Sequence, residues 1–235
     1  MGEPGCPTCG GIGYVRYDVP LADPRFGKIF KCPDCPDRAG REAREKVYRD
    51  KLERIGDASF VAPEWTFESF KLYHGAHKTI AAAYYGAMVY AEDPHGWLVF
   101  HGPPGTGKSH LCSAIANRLV AQRRMVIAAT APDLLDFLRS GFDNHDYTQL
   151  LRMTQTCDLL ILDDLGVEHE TDWGYEKLYQ IINYRYNRIM PTVFSTNLVD
   201  LAGIEERLRS RMSDRQHSQM FGMTGEDYRK RKEPR

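Results

Sequence analysis

The chain has 235 residues, 27% of them charged, and a net charge of −1. That length suits one α/β domain plus a small appendage. The even charge balance excludes a bulk polycation, so any nucleic-acid contact must come from a local patch. No apolar run approaches the ~18 residues of a membrane span. The start Met1-Gly2-Glu3-Pro4-Gly5-Cys6 lacks the basic-then-apolar pattern of a secretory leader. A cytoplasmic address with no membrane association is the expectation, and there cysteines point to metal or free thiols rather than disulfides.

Four of the six cysteines form two C-x-x-C pairs, Cys6/Cys9 and Cys32/Cys35, with 22 residues between them. Each pair sits in a Pro- and Gly-rich turn, the kind of knuckle that aims two thiolates at one tetrahedral Zn²⁺. A redox dithiol is the rival reading of one pair; two matched pairs favour structural zinc. Tyr14-Val15-Arg16-Tyr17 and Lys28-Ile29-Phe30-Lys31 can pair as a hairpin between the knuckles. The module, residues 1–37, is too small for an apolar core, so the ion would hold its fold. Cys112 and Cys157 lie in apolar surroundings and read as small buried hydrophobes. Residues 38–59 are highly charged and sparsely apolar, a solvated helical linker in preference to a DNA-binding helix.

From about residue 60 to 235 strands and helices alternate. The pattern predicts helices over Thr79–Ala91, Leu111–Arg123, Pro132–Arg139, Asp146–Thr154, Tyr175–Arg188 and Ile204–Met212, with a break over Gly141–His145. It predicts strands over Trp97–Phe100, Met125–Thr130, Leu159–Leu162 and Thr192–Ser195. The expected class is α/β, a parallel sheet covered by helices.

Gly102-Pro103-Pro104-Gly105-Thr106-Gly107-Lys108-Ser109 matches the phosphate-loop pattern G-x-x-x-x-G-K-[ST] in full, between a strand and a helix as the motif requires. Its glycines let backbone N–H groups turn around a phosphate, and the helix N-terminus adds positive potential. Lys108 suits the β and γ phosphates of ATP, and the Ser109 hydroxyl suits Mg²⁺; His110 follows directly and is counted with the loop. Leu159-Leu160-Ile161-Leu162 ends in Asp163 and Asp164, 55 and 56 residues beyond Lys108. A buried strand ending in two carboxylates suits a nucleotide site, with Asp163 on Mg²⁺ and Asp164 polarising the attacking water. Asn197, at the end of the fourth strand, is a candidate for the γ-phosphate or that water, or else a capping residue. Arg207 and Arg211 are four apart and share a helix face. They suit transferring-phosphate charge in a neighbouring subunit, against the alternative of a solvated basic face.

Together GPPGTGKSHL, LLILDDLG, EKLYQIINYRYNR, PTVFSTNL, RLRSRM and GEDYRKR resemble the DnaC/DnaI/IstB-type AAA+ ATPases over roughly Trp65 to Arg231. The N-terminal cysteine pairs look most like the zinc-bearing domain of DnaI-type loaders. The resemblance implies an AAA+ P-loop fold without a C-terminal lid domain, and Asp163 and Asp164 as Walker B acids. It implies Asn197 as sensor one, Arg211 as the arginine finger with Arg207 second, and Arg229 as sensor two. Trp65–Phe70, with Phe70 as the binding residue, would lie near adenine, and Leu134–Met153, carrying Arg139 and Arg152, would face single-stranded DNA. The implied activity is ATP hydrolysis in a helicase loader that self-assembles through the ATP interface and meets a hexameric replicative DNA helicase through its zinc module. A transposition helper gripping duplex DNA, and a nucleotide-bound adaptor with negligible turnover, are the alternatives.

Overall fold

The computed structural model describes residues 6–10, 12–20, 23, 25–33, 61–72, 77–143, 146–166 and 172–230. The chain divides into two compact units, Met1–Arg54 and Ile55–Arg235. The linker helix expected over residues 38–59 lies outside the described residues, as does Cys35.

In the first unit, β1 (Tyr14–Arg16) and β2 (Ile29–Lys31) pair antiparallel, with Val15 opposite Phe30. The hairpin is the expected one. Its buried side chains are Cys6, Cys9 and Cys32, with Val15 packed against them.

The second unit is a five-stranded, wholly parallel sheet in the order β4-β5-β6-β3-β7. The strands are β3 (Trp97–His101), β4 (Val126–Thr130), β5 (Leu159–Asp163), β6 (Thr192–Thr196) and β7 (Ser218–Gly222). The four strands read from sequence are present. They are continuous apolar runs because both faces are covered. Leu98, Phe100, Leu159, Ile161 and Val193 enter one apolar layer. There they meet α1 (Lys78–Glu92) and α2 (Lys108–Ala121). Trp97, Val99, Leu160, Leu162 and Phe194 alternate with them into the other layer. That layer is built with α3 (Ala131–Asp143), α4 (Tyr147–Thr156), α5 (Asp172–Tyr186) and α6 (Glu206–Met212).

Two expectations change. A fifth strand, β7, pairs with β3 at the sheet edge. Ser218-Gln219-Met220-Phe221-Gly222 carries no apolar run because one of its sides faces solvent. The break at Gly141 does not occur there: α3 continues to Asp143. Gly141 serves close packing, since a Cβ there would sit 2.8 Å from the Tyr147 backbone, where α4 begins.

Arg185 is fully buried. Its Nε donates to Thr192 Oγ1 at 3.0 Å, and its Nη1 donates to the carbonyls of Thr154, Gln155 and Cys157 at 3.1–3.2 Å. Nη2 donates to the Pro191 carbonyl. The guanidinium thus satisfies the orphan carbonyls at the end of α4 and ties them to the start of β6.

Candidate functional site

β3 ends at His101, and the chain turns through residues 102–107 into α2, whose free N–H groups and dipole face the turn. Gly102, Gly105 and Gly107 have φ of 133°, 75° and 98°, a region that side chains other than glycine's rarely enter. Space demands glycine as well. A Cβ on Gly102 would strike the Met223 carbonyl, one on Gly105 the Asp227 carboxylate, and one on Gly107 the Phe70 ring at 2.7 Å. Thr106 Oγ1 donates to the Pro103 carbonyl at 3.0 Å and braces the bend. Lys108 is buried, and its Nζ donates to the carbonyls of Gly102 and Pro103, both at 2.8 Å. Burial lowers its pKa, while the carboxylates of Asp164 and Asp163 work in the opposite direction. Ser109 is half-buried one residue on.

Asp163 closes β5 and is buried. Its Oδ1 accepts from Ser195 Oγ, at the end of the neighbouring strand β6. The fully buried Cys112 thiol, on α2, meets the same carboxylate; burial and then that negative charge drive its pKa well up. Asp164 departs from the strand with φ 55°, in the left-handed region that Asp tolerates better than most residues. Its N–H donates to Ser195 Oγ at 3.0 Å, and its Oδ1 accepts from Asn197 Nδ2. Burial raises the Asp164 pKa, repulsion from Asp163 adds to it, and Lys108 opposes it. Loop, lysine, both acids and Asn197 therefore form one group. A buried carboxylate and a half-buried one beside a buried lysine, with a hydroxyl nearby, are the hard oxygen donors that suit Mg²⁺; the glycine cradle and helix N-terminus suit a polyphosphate.

The aromatic segment docks on α2. Phe70 lies 5.0 Å from the His110 ring and 5.4 Å from Tyr84, and Trp65 stacks on His110 at 5.6 Å. His110 Nε2 donates to the Thr66 carbonyl at 2.9 Å. Asn117 Nδ2 donates to the carbonyls of Ala62 and Trp65. Arg229 sits in a short 3₁₀ turn, Tyr228–Lys230, whose Tyr228 N–H donates to the Gly105 carbonyl at 2.9 Å. It is largely exposed and pairs with Asp227 at 3.1 Å. Its charge also reaches Lys108.

Arg207 and Arg211 stand elsewhere, on α6 against α5. Arg207 is exposed, its guanidinium 6.0 Å from the Tyr179 ring. Arg211 is half-buried between the rings of Tyr179 and Tyr186, at 5.2 and 5.1 Å, and its Nη2 donates to Asn183 Oδ1 at 2.6 Å. Its Nη1 is buried with no hydrogen-bond partner among the described residues.

In the first unit the sulfurs of Cys6, Cys9 and Cys32 all lie within 4.8 Å of one another. Cys6 and Cys32 are 3.8 Å apart, and the Gly13 N–H donates to Cys9 Sγ at 3.2 Å. That separation is far beyond a disulfide. Two thiolates bound at ~2.3 Å to one tetrahedral ion lie about 3.8 Å apart, so the cluster fits zinc.

Ser195 was not singled out from sequence. Its place beside Asp163 emerges only from the pairing of β5 with β6, in which Leu162 lies opposite Phe194.

A phosphate loop after β3, two acids at the end of β5, and the polar end of β6 between those two strands define an AAA+ ATPase. The chain belongs to the IstB-like ATP binding protein family, whose model matches residues 43–235. It is 30% identical over 189 residues to the replicative helicase loader DnaC of Buchnera aphidicola subsp. Schizaphis graminum, covering 75% of each chain. Among solved structures, its fold resembles AMPPCP-bound DnaA from Aquifex aeolicus, with a TM-score of 0.60 and 22% identity, matching 70% of this chain and 51% of that one. It also resembles the crystal structure of the DnaC helicase loader, with a TM-score of 0.55 and 23% identity, matching 68% and 97%. Among the described residues, no helix is long and apolar enough to cross a membrane.

Proposed function

We propose that this ATPase is a helicase loader switched by ATP bound between subunits. The observation that carries the reading is the split between two groups of side chains. Lys108, Asp163, Asp164 and Asn197 gather at the loop, whereas Arg211 stands apart against α5. A site with its cation for transferring phosphate elsewhere is completed by a second copy. The relative named replicative helicase loader supports the biological role.

In this reading the amides of residues 102–109 and Lys108 hold the β and γ phosphates. Ser109 and Asp163 hold Mg²⁺, which when bound neutralises charge on the terminal phosphates. Asp164 accepts a hydrogen bond from the attacking water and polarises it. The Asn197 amide fixes the Asp164 carboxylate for that task. Arg211 of the neighbouring copy, with Arg207 beside it, stabilises charge on the leaving phosphate, and Arg229 reads the nucleotide from within its own chain. Phe70 and His110 flank the base. Cys6, Cys9, Cys32 and Cys35 hold zinc, and that module docks on a hexameric replicative helicase in the cytoplasm. Single-stranded DNA would meet α3 and α4, where Arg139 leans on Trp173 at 4.9 Å and Arg152 on Tyr184 at 5.8 Å.

Mixing two inactive variants tests the shared site. Arg211→Ala keeps the acid and loses the arginine; Asp164→Asn does the reverse. A mixture regains ATPase activity, because some interfaces combine the intact half of each. No recovery at any ratio would sink the shared site. The family's IstB-like description supports a second reading, a transposition helper. Stimulation by duplex rather than single-stranded DNA, with a transposase rather than a helicase co-purifying, would decide for it.

A further inference from the structure

We infer that Ser195 is a positioning residue for the ATPase reaction, one hydroxyl that sets the places of both acids at once. Its Oγ–H donates to Asp163 Oδ1, and the same oxygen accepts the Asp164 N–H at 3.0 Å. Ser195 is 1% exposed, so water does not compete for either bond. The arrangement follows from the sheet. Leu162 lies opposite Phe194 in the parallel β5–β6 ladder, so the next residues, Asp163 and Ser195, are neighbours on the next rung. Side chains alternate along each strand. Val193 and Ile161 point into the layer shared with α2, and Phe194 and Leu162 point away from it. Ser195 and Asp163 therefore both return to the α2 side, where Lys108 and Cys112 stand.

Each bond has a separate consequence. Holding Oδ1 of Asp163 fixes the carboxylate's rotation, and Oδ2 would then be available to a metal ion. Groups that orient a metal's ligand in this way tune affinity by roughly 10–100-fold when removed. Accepting the Asp164 N–H fixes the backbone at the left-handed residue, φ 55°, that carries the second carboxylate back towards Asn197. The rest of the β6 end reinforces the turn, since the Leu165 N–H donates to the Ser195 carbonyl at 2.8 Å. Ser195 is assigned no contact with the phosphates. It acts through Asp163 and Asp164.

The inference rests on the reading that Asp163 holds Mg²⁺, and the experiment separates the two. Ser195→Thr and Ser195→Val have nearly the same shape and differ by the hydroxyl. In the full-length protein, retention of a fluorescent ATP analogue is titrated with free Mg²⁺ for both variants, with Ser195→Ala as a smaller third. The valine and alanine variants should require about tenfold more Mg²⁺ at half-saturation. Their metal-free nucleotide binding should be unchanged, because the phosphate loop is intact, and kcat should fall with KM for ATP held. The threonine variant should stay close to wild type. Equal Mg²⁺ midpoints for threonine and valine, or for wild type and alanine, would overturn the positioning role. Asp163→Asn is the control. If it leaves the Mg²⁺ midpoint in place, the metal reading of Asp163 fails; if it moves the midpoint while valine does not, only the inference about Ser195 fails.

Discussion

The hairpin β1–β2 and the sheet β3–β7 are stabilised by different physics. Among the described residues around the hairpin, the buried side chains are three cysteines with Val15 against them, while Ile12 and Ile29 are 71% and 72% exposed. Around the sheet, two continuous apolar layers cover both faces of the central strands. Hydrophobic burial is roughly proportional to area, and the hairpin offers little of it. Packing therefore holds the second unit, whereas in the proposed reading a metal ion on the clustered thiolates would hold the first. A module held by a few strong local bonds can present unusual apolar residues to solvent, because its fold does not depend on hiding them.

The largest effect that separates the two regions comes from metal removal. Structural zinc supplies about 10–16 kcal/mol of apparent binding energy in small modules. A strong chelator, or Cys9→Ser, should therefore abolish amide protection at Tyr14–Arg16 and Ile29–Lys31 in hydrogen exchange. Strands β3–β6 should keep theirs. Loss of protection in both regions together would erase the contrast.

The converse change is Leu162→Ala, at a fully buried position of β5. Truncating such a side chain costs about 2–5 kcal/mol. Urea unfolding of the second unit should shift by that amount, while metal content per chain stays the same.

The smallest effect sharpens the contrast inside the second unit, between its packed layers and its charged site. Asp164 has a raised pKa from burial and from Asp163. A carboxyl whose folded pKa exceeds its unfolded value destabilises the fold when ionised, above that folded pKa. Asp164→Asn should therefore raise the nucleotide-free Tm slightly near neutral pH, with the gain fading as pH falls through the folded pKa and wild-type Asp164 protonates. Partial solvent exposure keeps the gain small. The same variant should lose about 10²–10⁴-fold in ATPase rate. An unchanged or lower Tm near neutral pH would show that the site stores no electrostatic strain.

Much of this architecture was legible along the chain, and the exceptions share a cause. The strands flanked by helices announce themselves because burial on both faces demands unbroken apolar runs such as Leu159–Leu162. The phosphate loop is legible because its conformation admits so few residue types. β7 escaped because an edge strand needs apolar side chains on fewer surfaces. Gly141 misled because its role is tertiary: it lets α4 approach, which no local pattern records. Ser195 and Arg185 escaped for the same reason. A serine at a strand end and an arginine late in a helix are ordinary until the partners, 30 or so residues away in the chain, are brought alongside.

The clamp made by Arg185 has a consequence for the opposite end of β6. That strand is five residues long, Thr192–Thr196. At its beginning the guanidinium grips Pro191 and Thr192; at its finish Ser195 is bonded to both acids. Sliding the strand by one position would turn every side chain to the opposite face. It would break both attachments in the same movement, putting threonine where serine belongs and turning Phe194 out of its layer. A short ribbon fastened at both tips cannot creep, so the spacing between the two carboxylates is inherited from an alignment fixed at Thr192, about 10 Å from Ser195 at roughly 3.3 Å per residue along the strand.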